Sequence, residues 1–170
     1  MRHRFLAVLA LLAGSRSTKI HAQAPGPLHF NSAAGAALPT GRLGDVADIG
    51  YNLTVGIGVR QPTSQVGFRV EGMYNEWSLN RTDFKTHAGG VTANLTYDFA
   101  LAPMRGPGNS LYAIGGIGYL GTGGSSDIAY NIGGGFRFPL SGFSAYLEAR
   151  YHSISNADMT FVPIVFGLLF

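Results

Sequence analysis

The segment Arg150-Tyr-His152-Ser-Ile-Ser155-Asn156-Ala157 is the one stretch of this 170-residue chain that invites an enzymatic reading. In that reading a histidine takes the proton of a nearby serine hydroxyl and turns the oxygen into a nucleophile. The spacing is awkward for such chemistry. His152 and Ser155 are three residues apart, and side chains three apart on a regular strand point to opposite faces. Only a β-bulge would bring them together. His152 shares its face with Glu148 and Arg150, and no carboxylate follows within residues 160–170 to orient it. The plainer reading is a partly buried histidine near one rim of the fold.

Other chemistry is weaker still. His29, His87 and His152 fall on three separate strand-like segments with no ligand spacing, which argues against a metal centre. The chain has no cysteine, so disulfide scaffolds, thiolate metal sites and cysteine nucleophiles are excluded. Glycines at 115–118 and 133–135 lie inside strand-like runs. A phosphate loop would stand between a strand and a helix, so these glycines read as bends or as room for neighbours. No cofactor is expected.

The elements that must hold these residues come next. Met1-Arg-His-Arg4 followed by the apolar run Phe5–Ala13 has the basic and short hydrophobic regions of a secretory signal. Cleavage is expected between Ala22 and Gln23, with Ala24 as the rival site, giving a signal peptide over 1–22 and one domain over 23–170. Of the twelve Lys and Arg, Arg2, Arg4, Arg16 and Lys19 belong to the leader, so eight basic residues face nine acidic ones in the mature chain, a net charge of −1. The basic character of the whole chain therefore implies no nucleic-acid partner.

Beyond the leader the dominant period is two, the mark of strands. Ile49-Gly-Tyr-Asn-Leu-Thr-Val-Gly-Ile-Gly-Val-Arg60 alternates apolar with polar or glycine, as does Gly90–Phe99. The pattern predicts eight strands, at 28–37, 49–60, 65–77, 87–100, 110–120, 127–138, 143–153 and 160–170, and no helix after the leader. Turn-forming stretches separate them, among them Pro39–Arg42, Gln61–Ser64, Pro103–Asn109, Gly121–Ser126, Pro139–Gly142 and Ser155–Asp158. Each strand is about the 9–11 residues that a tilted strand needs to cross a bilayer. Asn52, Asn94 and Asn131 occupy corresponding faces of the second, fourth and sixth strands.

Face polarity separates a soluble barrel from a transmembrane one, since the two are inverted. One face is aliphatic and ends in aromatics. The other carries Arg60, Arg69, Glu71, Asp98, Arg137, Glu148 and Arg150 among Gly, Asn and Thr. In an up-and-down meander Tyr51, Tyr119, Tyr130, Tyr151 and Trp77 gather at one end, although Trp77 has inward parity and fits only as a rim residue. Phe68, Phe99, Phe136, Phe138, Phe143, Phe166 and Phe170 gather at the other, giving the two interfacial girdles of a membrane barrel. Eight strands leave an interior that side chains fill. Inward Gly56, Gly58, Gly67, Gly133 and Gly135 would make room for Tyr146 and for a lumenal charge network of Arg69, Glu71, Arg137, Glu148 and Arg150. The expected fold is all-β: an eight-stranded antiparallel up-and-down transmembrane barrel.

The last strand carries a further signal. Val162, Ile164, Phe166, Leu168 and the terminal Phe170 are apolar on one face, which resembles the C-terminal assembly signal of bacterial outer-membrane β-barrels. With Glu148-Ala-Arg-Tyr-His152 before it, the closing region is similar to small barrels of the OmpA-transmembrane-domain and OmpX type. That resemblance implies residence in the outer membrane as a multi-pass barrel in contact with its lipid. It also implies insertion by the barrel assembly machinery with Phe170 as the main recognition residue, a monomeric state, and a non-enzymatic structural or surface role with a plugged polar lumen. The alternatives are an adhesin, a narrow pore, or an esterase. For the last, His152 and Ser155-Asn156 resemble the His-x-Ser-Asn signature of the lipid A 3-O-deacylases, with one residue too many between histidine and serine. That resemblance implies His152 as the base and Ser155 as the nucleophile attacking an acyl ester.

Overall fold

A computed structural model describes residues 27–61, 63–80, 83–99 and 109–170. The expected leader, its expected cleavage between Ala22 and Gln23, and most of the expected turn at 103–109 lie outside the described residues. Eight strands form one closed antiparallel barrel in sequence order: β1 Leu28–Thr40, β2 Gly50–Val59, β3 Val66–Ser78, β4 Lys85–Phe99, β5 Ser110–Thr122, β6 Ser125–Leu140, β7 Phe143–Ile154 and β8 Met159–Leu169. The strands fall where the two-residue period places them, within three residues at every end.

Closure comes from β1 pairing with both β2 and β8. At its lower end Phe30 and Phe170 exchange both backbone hydrogen bonds, at 3.0 and 2.9 Å. Stepping from partner to partner around the wall from His29 passes Gly58, Arg69, Asn94, Gly116, Asn131, His152 and Phe161, and returns to β1 at Pro39, ten residues further along. An offset of that size tilts the strands by about 40° and leaves a bore just wide enough for side chains. The β7–β8 ladder has one interruption. Pairing runs to Ala149 with Ile164 and resumes at His152 with Phe161, and Pro163, which stands between, has no N–H to donate.

Exposure alternates along every strand. Tyr51, Leu53, Val55, Ile57 and Val59 of β2 point outward, whereas Asn52 and Thr54 between them are buried. Exposed Tyr51, Tyr74, Tyr119, Tyr130 and Tyr151 ring the end away from the termini; exposed Phe30, Phe68, Phe99, Phe166 and Phe170 ring the base. The base girdle is knit by ring contacts, Phe136 with Phe138 at 6.1 Å, Phe138 with Phe166 at 6.4 Å and Phe143 with Phe170 at 5.9 Å. Apolar outside and polar inside is the order that a lipid solvent selects.

Two expectations need correction. Gly41–Val46 forms a short helix, α1, in the connection from β1 to β2, where none was expected. Six residues are too few to show a 3.6-residue period. Trp77 belongs to no girdle. It is fully buried inside the barrel, its Nε1 donating to the carbonyl of Ala37 at 2.9 Å and its ring 5.0 Å from that of Phe161.

Val55 is 64% exposed near mid-height of the outward band. Val55→Lys is expected to lower unfolding stability in lipid vesicles by about 2–4 kcal/mol. Denaturant titration in bilayers checks this, with the exposed rim change Ser125→Lys as the control that has little effect.

Candidate functional site

Among the described residues the bore brings together the buried charged and polar side chains, and it is layered. In the middle stands a quartet. Arg150 Nη1 donates to Glu71 Oε2 at 2.7 Å, Arg150 Nε lies 2.8 Å from Glu148 Oε1, and Arg69 pairs with both Glu148 and Glu71, the latter at 3.5 Å. Neutral donors complete it. Asn31 donates to Glu71 Oε1 at 2.8 Å, Asn94 to Glu71 Oε2 at 3.0 Å, and the Tyr112 hydroxyl to Glu148 Oε2 at 2.7 Å. Asn94 also accepts from Asn131 at 2.8 Å. All these residues are buried, so each carboxylate meets its charge where water cannot screen it.

Arg137, expected in this quartet, is elsewhere. It lies nearer the base and donates to Asp98 Oδ1 at 2.8 Å, while Arg60 reaches Oδ2 at 2.6 Å and the Ser110 hydroxyl reaches Oδ1 at 2.8 Å. The reason is level rather than sequence. The tilt of the wall places Arg137 of β6 at the height of Asp98 of β4, below the two glutamates.

Glycines on the inner face act as seats. A methyl group on Gly56 would stand 2.7 Å from Cγ of Glu71, and one on Gly133 2.8 Å from Cγ of Arg150. The ring of Tyr112 lies over Gly135, that of Tyr146 over Gly167 and that of Trp77 against Gly50. Gly167 and Gly50 were not among the glycines expected to make room, although both have inward parity.

The upper layer is apolar and was not foreseen. Trp77, Phe161, Ile154, Leu120, Met73, Ala37, Ala88 and Ala129 form one cluster with Leu43 of α1 and Ala47. Its signal was available, because the inward positions turn apolar at the upper ends of β3, β5, β7 and β8. His152 lies under this cluster, fully buried, its ring stacked on Phe161 at 5.0 Å, with no hydrogen-bond partner at either nitrogen.

Ser155 is exposed in the turn after β7, its backbone N–H donating to Ile128 at 3.0 Å. The β6–β7 register is unbroken from Leu140–Phe143 to Ala129–Ile154, so no bulge turns His152 toward it. At the position two before Ser155 stands Ser153, not a histidine. Val162, Ile164, Phe166, Leu168 and Phe170 share the outward face of β8, with Phe161, Val165 and Leu169 buried on the other. Among the described residues no cluster has the composition of a metal site. An open groove of about 700 Å³ at the upper end is lined by Asp48, Ser78, Asn80, Asp83 and Lys85.

The quartet predicts strong coupling. Glu148→Gln and Arg150→Met are each expected to cost about 3–5 kcal/mol, because each strands a buried charge. The double variant should cost clearly less than their sum. Thermal unfolding of the four proteins measures the cycle, and strict additivity contradicts the network.

No family model and no curated protein matches the chain. Solved structures do. It is similar to Neisserial surface protein A at a TM-score of 0.65 and 19% identity, covering 85% of this chain and 96% of that one. It is similar to the outer membrane enzyme PagL at 0.52 and 16%, covering 83% and 97%. The N-terminal β-barrel domain of Pseudomonas aeruginosa OprF matches at 0.51 and 14%, covering 85% and 98%. The fold these likenesses establish is that of the small eight-stranded barrel.

Proposed function

We propose that this chain is an exported, monomeric outer-membrane β-barrel with a sealed lumen, serving a structural or surface role without catalysis. The observation that carries this reading is the inverted polarity of the wall. A predominantly apolar exterior between two aromatic girdles encloses four arginines and three carboxylates. Such a wall suits lipid and no other solvent. The likeness to solved outer-membrane barrels supports the same compartment. With the termini in the periplasm, α1 and the β3–β4 connection face outward, and Phe170 is presented on β8 for recognition by the assembly machinery.

The lumen is proposed to be closed at two levels, by the Arg–Glu quartet and by the apolar cluster above it. A pore would need both displaced. The deacylase reading has the PagL likeness in its favour, but buried His152, exposed Ser155 and the Ser153 substitution argue against it.

Expression in a Gram-negative host should yield a heat-modifiable band in the outer-membrane fraction, and deletion of Phe170 should reduce its amount severalfold. A chain recovered only in soluble fractions overturns the location. In planar bilayers the wild-type protein should conduct little, whereas Trp77→Ala with Phe161→Ala and Arg150→Ala should raise conductance. Lipid A mass spectra should be unchanged by expression. Deacylated lipid A that disappears with Ser155→Ala would restore the esterase assignment.

A further inference from the structure

Counting the charges inside the barrel leaves one unmatched. The four arginines are Arg60, Arg69, Arg137 and Arg150; the three carboxylates are Glu71, Asp98 and Glu148. All nine Asp and Glu of the chain are among the described residues. The other six, Asp45, Asp48, Glu76, Asp83, Asp127 and Asp158, lie at the upper end of the barrel. No ion pair among the described residues brings any of these six into the bore. The chain therefore places a single carboxylate, Asp98, in the lower bore, and two arginines share it.

The unmatched charge has a location. Nε of Arg137 and Nη1 of Arg69 are buried without a hydrogen-bond partner, as is the hydroxyl of Tyr146. Both guanidinium groups converge on the same ring: Cζ of Arg137 is 4.9 Å and Cζ of Arg69 5.9 Å from the centroid of Tyr112. Cζ of Arg69 is also 5.7 Å from the centroid of Tyr146. Arg137 is 7% exposed, whereas the side chain of Arg60 is 34% exposed at the mouth. Both guanidinium groups are ion-paired through other nitrogens, Arg69 to Glu148 and Arg137 to Asp98. A net buried positive charge is nonetheless disfavoured, and the N–H groups left over are preferred donors to anions.

We propose that the lower bore binds one small anion, a halide or a carboxylate group, between Arg69 and Arg137 beside the ring of Tyr112. The Tyr146 hydroxyl supplies a further donor, and Arg60 stands at the entrance. Electroneutrality of the bore is then completed by a ligand rather than by the chain. The site requires only the folded barrel, so its failure leaves the proposed location and role untouched.

The test uses the folded protein in detergent micelles and in crystals. At constant ionic strength, replacing methanesulfonate by chloride should raise Tm along a saturating curve, and bromide-soaked crystals should show an anomalous peak at Arg69 and Arg137. Acetate forms a second series. Saturation at lower acetate than chloride marks a carboxylate-bearing ligand, and the reverse order marks a halide. Arg137→Met should abolish the saturating response. Ser110→Asp, which adds a fourth carboxylate next to Asp98, should abolish it while keeping every arginine, and it provides the answer if Arg137→Met does not fold. The proposal is overturned by a Tm that follows ionic strength alone, by the absence of bromide from the lower bore, or by an unchanged chloride response in Ser110→Asp.

Discussion

Backbone hydrogen bonding in a solvent that offers none is the constraint from which the rest of this structure follows. A wall that faces lipid must satisfy its N–H and C=O groups internally, so the sheet has to close. Closure occurs where β1 meets β8, with an offset of ten residues around the ring. That offset fixes the tilt, the tilt fixes the bore, and the bore fixes which inward side chains stand at the same level. Glu71 meets Arg150 and Arg137 meets Asp98 for this reason, although nothing in their sequence separation suggests either pair.

The charged middle of the bore is better understood as a specifier than as a source of stability. Buried ion pairs seldom stabilise more than well-packed apolar groups of equal volume would, but a missing partner is costly. Glu71 of β3 is bound by groups from β1, β4 and β7, so a slip of any one of these strands would strand a charge. A one-residue slip would also turn every lipid-facing side chain inward. Interior charge and exterior apolarity thus enforce the same register from opposite sides of the wall. Glycine seats under Tyr112, Tyr146 and Trp77 belong to the same design, because each of these rings lies over a neighbouring residue that has no side chain.

Much of this was legible in the residues. Period-two alternation reports which face a side chain takes, and that information survives without any knowledge of pairing. Strand number, strand ends within three residues, and the inward set Arg69, Glu71, Arg137, Glu148 and Arg150 were all readable on that basis. What was not readable depended on height. Partner choice for Arg137 needs the offset between β4 and β6, and the burial of Trp77 needs the level at which the inner face of β3 stops being polar. Parity alone marked Trp77 as inward; the assumption that inward means polar moved it to the rim. Helix α1 was invisible because six residues carry no period. The His152–Ser155 pair shows the reverse case, in which a suggestive spacing in sequence is resolved by an unbroken register into one buried and one exposed residue.

The strut from Trp77 to the carbonyl of Ala37 has a mechanical consequence. It bridges from β3 over β2 to β1 on the inner face of the wall, and with Phe161 and Leu43 packed around it the upper end of the barrel becomes a stiff hoop rather than a set of free strand tips. Connections mounted on such a hoop can change in length and composition without loosening the wall beneath them. The make-up of those connections is thereby uncoupled from what holds the wall together.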